Sequence, residues 1–269
     1  MGMRRLGVVG LVSLDRVDGG LPRLGGAPTY ATRALRLLGH EAAVATKLAA
    51  EERPRLAALG LAVAARNAAR TIAFRIENRG DRRMIALEEP GEPWTLEEAR
   101  GWLAHTLAGV DVVHAGALTR DDFPARTLAA LKRTRILSFD AQGLVRPALT
   151  GELVLDTEFD PEVLAQVDIL KVGEEEASAL EIGPDERSLG SLGVPEILLT
   201  LGRRGVVVFA DGLAELVPTG RLNGIDPTGA GDAFMAAYLS FRCRGHGPTS
   251  AARCANGVAY ALLKPCSAH

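Results

Sequence analysis

The chain has 269 residues, of which 47% are hydrophobic and 24% are charged, a composition typical of a globular protein with a sizeable core. Its formal net charge is −2, and no basic tract indicates a nucleic-acid or acidic-membrane partner. No signal-peptide pattern and no apolar run of membrane-spanning length are present. The three cysteines follow no disulfide or metal-binding spacing. We therefore expect a cytoplasmic protein that binds a small molecule.

Short apolar or β-branched runs alternate with amphipathic stretches along most of the chain. These runs predict strands at 6–12, 42–47, 110–115, 136–140, 169–172, 197–201 and 206–210. Their βαβ rhythm predicts an α/β fold in three layers, in which helices cover both faces of a central, mostly parallel sheet. Ligands of such sheets bind beyond the carboxyl ends of the strands. No linker or repeat divides the chain, so residues 1–269 are expected to form one domain.

Two further local patterns predict structure. Residues 71–78 and 83–87 alternate apolar and polar side chains, which predicts an antiparallel hairpin at the edge of the main sheet. A helix is predicted to begin near Thr95, because Thr95 and Glu98 have the spacing of a capping box. Apolar spacings of three and four predict two C-terminal helices, at 229–244 and 249–263.

A Gly/Ala-rich turn at 229–231 lies directly before the first of these helices. Backbone N–H groups at a helix start favour phosphate oxygens, and glycine lets a ligand approach closely, so Gly229, Ala230 and Gly231 are a candidate anion hole. Asp232 follows in the first turn, where it could take a proton from a substrate hydroxyl. An isolated turn of this kind usually does no more than start a helix, with an acid that complements the helix dipole.

The wider string, Asp226-Pro227-Thr228-Gly229-Ala230-Gly231-Asp232-Ala233-Phe234, resembles the signature of the ribokinase-like (PfkB) carbohydrate and nucleoside kinases. The resemblance implies the ribokinase-like fold, with Asp232 as catalytic base and the turn as anion hole. It also implies ATP and Mg²⁺ as cofactors, with Asp226 near a site for a monovalent cation. No Walker-type phosphate loop is present in the sequence, so the nucleotide is expected to bind in this family's own manner.

Two N-terminal segments extend the resemblance in the family's order. Asp15 resembles the family's substrate-binding Asp, and Gly25-Gly26 resembles its diglycine, against which the substrate packs. An ionised Asp15 could accept hydrogen bonds from two hydroxyls. Taken alone, Asp15 could equally be a loop acid without a role in binding, and Gly25-Gly26 could equally be a plain turn before the next helix. Larger members carry a β lid in this region, but 16–24 is short, so only a minimal lid is expected there, and closure is expected to be minimal or to come from elsewhere in the chain. The chain is expected to be a monomer or homodimer.

The acceptor is less determined by the sequence. The Asn usual in ribose kinases is replaced in the 27–30 stretch, which disfavours ribose. Tyr30 in this stretch could bond a hydroxyl or stack on a ring. His114, Asp140, Gln142 and Arg146 follow strands and resemble segments of short members that include inositol kinases, so they are candidates for substrate contact. His114 could equally be a satisfied strand-end histidine, and Asp140 and Gln142 could equally cap the next turn.

The second half supplies candidates for the nucleotide and metal. The segment 171–177 resembles the family's N-x-x-E segment, with Lys171 on the strand and Glu176 as the acid that organises magnesium. Gly173 replaces the usual Asn, which puts that segment's phosphate contact in doubt. The remaining nucleotide candidates resemble the family's T-L-G-x-x-G turn and its adenine-contacting Asn: Thr200, Gly202, Gly205 and Asn256.

The sequence therefore predicts an ATP-dependent phosphotransferase that moves the γ-phosphoryl of ATP to a hydroxyl of a sugar or polyol, inositol-like or hexose-like. One alternative is a nucleoside kinase, with Tyr30 or Phe123 stacking on a base. A second is a non-catalytic sugar- or nucleotide-sensing protein on the same fold, against which the intact Asp232 argues. A NAD-dependent Rossmann enzyme is disfavoured because residues 8–13 lack G-x-G-x-x-G.

Overall fold

The structure is a computed structural model that describes residues 3–79, 82–219 and 228–263. The strands in these ranges are β1 (Leu6–Gly10), β2 (Ser13–Val17), β3 (Arg23–Gly25), β4 (Ala42–Ala49), β5 (Ala64–Ala68), β6 (Ala73–Arg79), β7 (Arg82–Glu89), β8 (Val112–Gly116), β9 (Ile136–Asp140), β10 (Gly151–Glu152), β11 (Ile169–Gly173), β12 (Glu196–Thr200), β13 (Val206–Ala210) and β14 (Leu213–Val217).

The helices of the same ranges are α1 (Ala27–Leu37), α2 (Arg53–Ala58), α3 (Leu96–Arg100), α4 (Trp102–Thr106), α5 (Ala125–Lys132), α6 (Gln142–Val145), α7 (Glu162–Ala165), α8 (Glu174–Ala179), α9 (Glu186–Gly190), α10 (Ala230–Cys243) and α11 (Pro248–Leu263). Short 3₁₀ turns lie at Ala50–Glu52, Arg120–Asp122 and Gly202–Arg204. The predicted capping box is confirmed: Thr95 accepts from the backbone N–H of Glu98, whose carboxylate accepts from the N–H of Thr95.

A nine-stranded main sheet has the order β14-β13-β12-β11-β9-β8-β1-β4-β5. The seven strands from β12 to β5 run parallel, whereas β13 and β14 pair antiparallel at one edge. The predicted strands all occur, and those at 136–140 and 206–210 have the predicted bounds. The prediction of an α/β fold around a mostly parallel sheet is thus confirmed.

Helices cover both faces of the main sheet because side chains alternate across its strands. Val8 contributes to an apolar cluster with α1, α10 and α11, while the next residue, Val9, contributes to a cluster with α3, α4 and α5 on the opposite face. The three-layer arrangement expected from the βαβ rhythm follows from this alternation.

A second sheet of five strands, β10-β7-β6-β2-β3, lies apart from the main sheet. It is formed because β2 pairs with β6 in parallel and with β3 antiparallel, so the chain leaving β1 enters a new sheet. The prediction that the 71–87 hairpin edges the main sheet was therefore wrong, since β6 and β7 belong to this second sheet. We call it the lid sheet.

The expectation of a minimal lid also needs correction. Residues 16–24 themselves contribute little more than the β2–β3 turn, as their length predicted. The hairpin of β6 and β7 and the short β10 supply the rest of the lid sheet. A lid built from distant segments is not visible in the length of any one of them.

Helix α10 is anchored to β12 by a buried polar network. The Tyr238 hydroxyl donates to Glu196 Oε1 over 2.5 Å, and Arg242 Nη2 donates to Glu196 Oε2 over 2.8 Å. Tyr238 and Glu196 are both buried. Because α10 begins beside the Gly/Ala-rich turn, this network fixes the position of that turn relative to the sheet.

Glu196→Ala is expected to destabilise the fold by about 2–3 kcal/mol, because it leaves a buried hydroxyl and a partly buried guanidinium unpaired. Tyr238→Phe is the matched control and is expected to lower the free energy of unfolding by about 1 kcal/mol, since the Glu196–Arg242 pair remains. Urea unfolding measures both values. Equal losses in the two variants would contradict this account of the network.

Candidate active site

A cavity of about 330 Å³ lies between the lid sheet and the carboxyl ends of the main-sheet strands. Many of the residues singled out in the sequence line it: Asp15, Gly26, Tyr30, Gln142, Arg146, Lys171, Glu176, Thr200, Gly202, Gly229, Gly231 and Asp232. The lid sheet contributes Asp15 from β2, while the main sheet contributes Gly173 and Thr200 from the ends of β11 and β12. The cavity occupies the place at which parallel sheets bind ligands.

The Gly/Ala-rich turn forms the start of α10. Gly229 is the residue before the helix and has a left-handed backbone with φ of 77°, a conformation that favours glycine. A Cβ atom at Gly229 would lie 2.2 Å from the Tyr30 ring, and one at Gly231 would lie 3.1 Å from Lys171 Nζ. Ala230 is the first residue of α10. The turn therefore packs between an aromatic ring and a cation, and Gly229 has no room for a side chain.

Asp232 lies in the first turn of α10 and faces the cavity. Burial and the Asp140 carboxylate together raise the pKa of its carboxyl to about 7, although Lys171 and Arg146 oppose these effects. A carboxyl with a pKa near neutrality is suited to accept and release a proton at physiological pH. Among the site residues described, this is the acid best matched to general-base chemistry.

Lys171 is buried beneath the turn and pairs with Asp140, whose Oδ2 is 3.0 Å from its Nζ. Burial alone would lower the pKa of Lys171, but the carboxylates of Asp140, Glu176 and Asp232 outweigh it and raise the pKa. Asp140 is buried behind Lys171 and does not line the cavity; it also accepts from the backbone N–H of Gln142. Its observed contacts position Lys171 and cap the turn that follows β9.

The opposite wall contains Asp15, Tyr30 and the diglycine. Burial raises the pKa of Asp15, while a hydrogen bond from Ser13 opposes the shift. Burial and the Asp15 carboxylate raise the pKa of Tyr30 to about 12, so its hydroxyl stays protonated and can donate. Gly25 does not line the cavity; a Cβ there would lie 2.1 Å from Asp15 Oδ2, so its small size lets Asp15 pack. Gly26 has φ of 81° and lines the cavity itself.

Glu176 forms an ion pair with Arg146, whose Nη2 lies 3.1 Å from Glu176 Oε1. Both side chains line the cavity. A Cβ at Gly173 would lie 2.1 Å from Glu176 Oε2. The replacement of the family's usual Asn by Gly173 thus leaves the space that the Glu176 carboxylate occupies.

Several predicted residues lie away from the cavity. His114 is fully buried beside Ser138, and burial lowers its pKa to about 4, so it is neutral. Gly205 closes the β12–β13 turn with φ of 106°, and Asn256 Nδ2 donates to backbone carbonyls at Val217 and Pro218 over 3.5 and 3.4 Å. Asp226 lies outside the described residues.

The expectation that Phe123 could stack on a nucleobase was wrong. Phe123 is buried in the core between Trp94 and Phe139, with ring centroids at 6.4 and 6.3 Å. It contacts the helix layer under the sheet and has no surface in the cavity.

The sequence analysis missed the contribution of the hairpin. Phe74 and Ile76 of β6, with Arg83 and Ile85 of β7, line the cavity from the lid sheet. Their spacing of two places each pair on one face of its strand. The alternation of apolar and polar residues was visible in the sequence. The cavity that this face of the hairpin lines was not, because the hairpin was expected in a different sheet. Thr228, directly before Gly229, also lines the cavity.

The site combines a Gly/Ala-rich turn at a helix start, an acid in the first turn and a cavity closed by a separate β-sheet, and these are the features expected of a ribokinase-like small-molecule kinase. The chain matches the model of the pfkB family carbohydrate kinases over residues 13–264, and it belongs to that family.

Known proteins similar to this chain act on sugars and polyols. It is 26% identical to probable fructokinase-5 from Arabidopsis thaliana over 85% of this chain and 76% of that protein, and 27% identical to fructokinase-2 from Oryza sativa subsp. japonica over 85% and 73%. A solved pyrophosphate-dependent kinase in the ribokinase family, complexed with a pyrophosphate analog and myo-inositol, superimposes with a TM-score of 0.81 at 28% identity over 96% of this chain and 94% of that chain. The chain is a carbohydrate kinase of this family.

No helix within the described ranges is long and apolar enough to cross a membrane. Within the same ranges, no group of three or more His, Cys, Asp or Glu side chains is arranged to hold a metal ion.

The raised pKa of Asp232 predicts a pH-dependent penalty on stability. Between pH of about 4 and about 7 the folded chain retains a proton that the unfolded chain releases, so the free energy of unfolding falls as pH rises through this window. Asp232→Asn is therefore expected to be more stable than the wild type by about 2 kcal/mol at pH 8, after a discount for water in the cavity, and by less at pH 5.

Urea unfolding of both proteins at pH 5 and pH 8 measures this difference. Asp121→Asn, which removes an exposed acid outside the cavity, is the control and is expected to show no such trend. A stability difference between Asp232→Asn and wild type that is the same at both pH values would mean that Asp232 titrates near its ordinary pKa.

Proposed function

We propose that this kinase phosphorylates a hydroxyl of a six-membered cyclic polyol or hexose, with Asp232 as the general base. The observation that carries the proposal is that Asp15 and Asp232 line one cavity and interact electrostatically across it. One carboxylate can then hold acceptor hydroxyls while the other takes the proton. The lid sheet and the main sheet share this cavity, which supports one kinase domain over 1–269.

The lid side chains that line the cavity favour a ring-shaped acceptor with one apolar face. Phe74, Ile76 and Ile85 present hydrocarbon to the cavity, whereas Asp15 and the Tyr30 hydroxyl are polar. A cyclic polyol or a pyranose offers C–H groups on its ring faces and hydroxyls at its rim, which matches these two surfaces. The similar kinase solved with myo-inositol supports the same class of acceptor.

In the proposed reaction Asp232 accepts the proton as the acceptor oxygen bonds to the γ-phosphorus, and the bond from that phosphorus to the ADP oxygen breaks. The backbone N–H groups of the 229–231 turn stabilise the charge on the transferring group, and Lys171 lies directly beneath them. Asp232 must be ionised to act. Its pKa of about 7 therefore predicts that kcat/KM rises with pH to a plateau above neutrality.

Mg²⁺ is proposed as the metal that neutralises phosphate charge when bound. Glu176 is the carboxylate proposed to hold its water shell, and the neighbouring Glu174 and Glu175 line the same end of the cavity. The ion pair with Arg146 holds Glu176 in place at the cavity wall. The role suggested for Asp226 near a monovalent cation stays a prediction.

Free thiols at Cys243 and Cys254 support a reducing, cytoplasmic location.

Turnover of Mg²⁺-ATP with a panel of inositols, hexoses and nucleosides tests the proposal. We expect the best substrate among the inositols and hexoses, and a loss of kcat of about a thousandfold in Asp232→Asn, because a positioned general base contributes about 10²–10⁴. Asp121→Asn is the control and should retain wild-type turnover. Preferred turnover of a nucleoside would refute the acceptor class, and activity retained in Asp232→Asn would refute the base.

A second candidate concerns the donor, because pyrophosphate serves the similar kinase solved with myo-inositol. The groups proposed for the donor end, Lys171 and the 229–231 turn, would contact phosphates and would serve either donor. The amide of Asn256, which the family resemblance assigns to adenine, is directed instead at Val217 and Pro218. This contact favours a site that recognises the phosphates of the donor more than its base.

Comparison of Mg²⁺-ATP with Mg²⁺-pyrophosphate, using the same acceptor, decides between the donors. If the site recognises phosphates alone, pyrophosphate should support turnover within about tenfold of ATP, and Asn256→Ala should leave the KM for ATP unchanged. Turnover with ATP alone, together with an ATP KM raised about tenfold in Asn256→Ala, would contradict the second candidate and establish the adenine contact.

A further inference from the structure

Arg83 brings a guanidinium from the lid sheet into the cavity. It lies on β7 two residues before Ile85, and the two side chains share the face of the strand that covers the site. Its neighbours on that face, Phe74, Ile76 and Ile85, are apolar. Arg83 is therefore the charged member of an otherwise hydrocarbon set among the described β6 and β7 residues that line the cavity.

The contacts of Arg83 point to the phosphate-binding turn. Its Nη2 donates to Thr228 Oγ1 over 3.1 Å, and Thr228 directly precedes Gly229. The Nε–H of Arg83 is buried and has no hydrogen-bond partner among the residues that the structure describes. The guanidinium thus spans the gap between lid and turn and keeps an unused buried donor.

The other described arginines of the lid hairpin behave differently. Arg75 pairs with Glu77 and Glu88, and Arg79 pairs with Glu77, all on the solvent side. Arg83 has no ion pair with any of the residues that the structure describes. A partly buried cation with an unsatisfied N–H is costly unless an anion completes its surroundings.

The anion that fits is defined by what surrounds the guanidinium. Arg83 is near enough to Asp15 to oppose the burial that raises the pKa of that carboxyl, and it touches the turn that precedes Asp232. It therefore lies between the group proposed to hold the acceptor and the turn proposed to hold the phosphates. This is the path along which the phosphoryl group moves.

We infer that Arg83 is a catalytic residue carried by the lid, whose guanidinium donates to the oxygens of the phosphoryl group during transfer. This inference rests on the proposed function. Arg83 keeps its proton throughout: the bond between phosphorus and the donor oxygen breaks, the bond to the acceptor oxygen forms, and the acceptor proton goes to Asp232. Because the Arg83 guanidinium belongs to the lid sheet, closing the lid over the acceptor also places its positive charge beside the transferring phosphoryl group.

Kinetics of Arg83→Gln and Arg83→Lys test the role in transfer. An arginine that stabilises a transferring phosphoryl group contributes about 10³–10⁵ in kcat, so we expect Arg83→Gln to lose about a thousandfold in kcat with the acceptor KM changed less than about threefold. Arg83→Lys should recover part of the loss, because it restores charge but not the planar fork. Arg75→Gln, on the solvent side of the same hairpin, is the matched control and should behave as wild type.

Binding of Mg²⁺-ADP with aluminium fluoride, a mimic of the transferring group, gives a second readout by thermal shift. Wild type and Arg75→Gln should gain more stability from ADP with aluminium fluoride than from ADP alone. Arg83→Gln should keep the gain from ADP and lose the increment from aluminium fluoride, which a purely structural role for Arg83 would leave unchanged.

The inference fails if Arg83→Gln keeps kcat within about fivefold of wild type, shows its loss in acceptor KM, or retains the aluminium-fluoride increment. Wild-type turnover with an unaffected Arg83→Gln would overturn this inference and leave the proposed function standing. If the wild type turns over no acceptor in the panel, the proposed function fails, and the aluminium-fluoride increment alone decides whether Arg83 binds the transferring group.

Discussion

The buried ion pair of Lys171 and Asp140 is the interaction on which the site depends. Carboxylates from β2, β9, α8 and α10 converge at one end of the sheet, and without a buried cation their mutual repulsion would oppose folding. Lys171 pairs with Asp140 at 3.0 Å and packs against Gly231. It thereby links β9 and β11 to the start of α10, and its positive charge lowers the pKa of Asp232.

The turn at the start of α10 is constrained from two sides. Tyr30 packs so closely against Gly229 that a side chain larger than hydrogen is excluded there, and Lys171 packs closely against Gly231. The Tyr238–Glu196–Arg242 network holds the rest of the helix on β12. The N–H groups that the phosphates need are therefore fixed by packing before any ligand binds, which is the condition for electrostatic preorganisation.

Different strands of the lid sheet contribute different kinds of side chain to the cavity. β2 carries Asp15, which is proposed to hold the acceptor hydroxyls. The facing side of the β6–β7 hairpin presents hydrocarbon, and Arg83 reaches across to Thr228. A polar rim and an apolar face are what a ring-shaped polyol presents in return. The same sheet can then select the acceptor and bring charge to the phosphoryl group.

Local patterns in the sequence determined the elements and the catalytic turn. Hydrophobic periodicity predicted the parallel strands and both C-terminal helices, since a side chain's face depends on nearby residues alone. The motif around Asp232 could also be identified from the sequence, because a helix start is built from consecutive residues. Tertiary structure decided which residues meet. It assigned β6 and β7 to the lid, placed Arg83 at Thr228 across 145 positions of sequence, buried His114 and Phe123, and placed Asp140 behind Lys171. Such contacts depend on sheet order and packing between distant segments, and no single stretch of sequence encodes either.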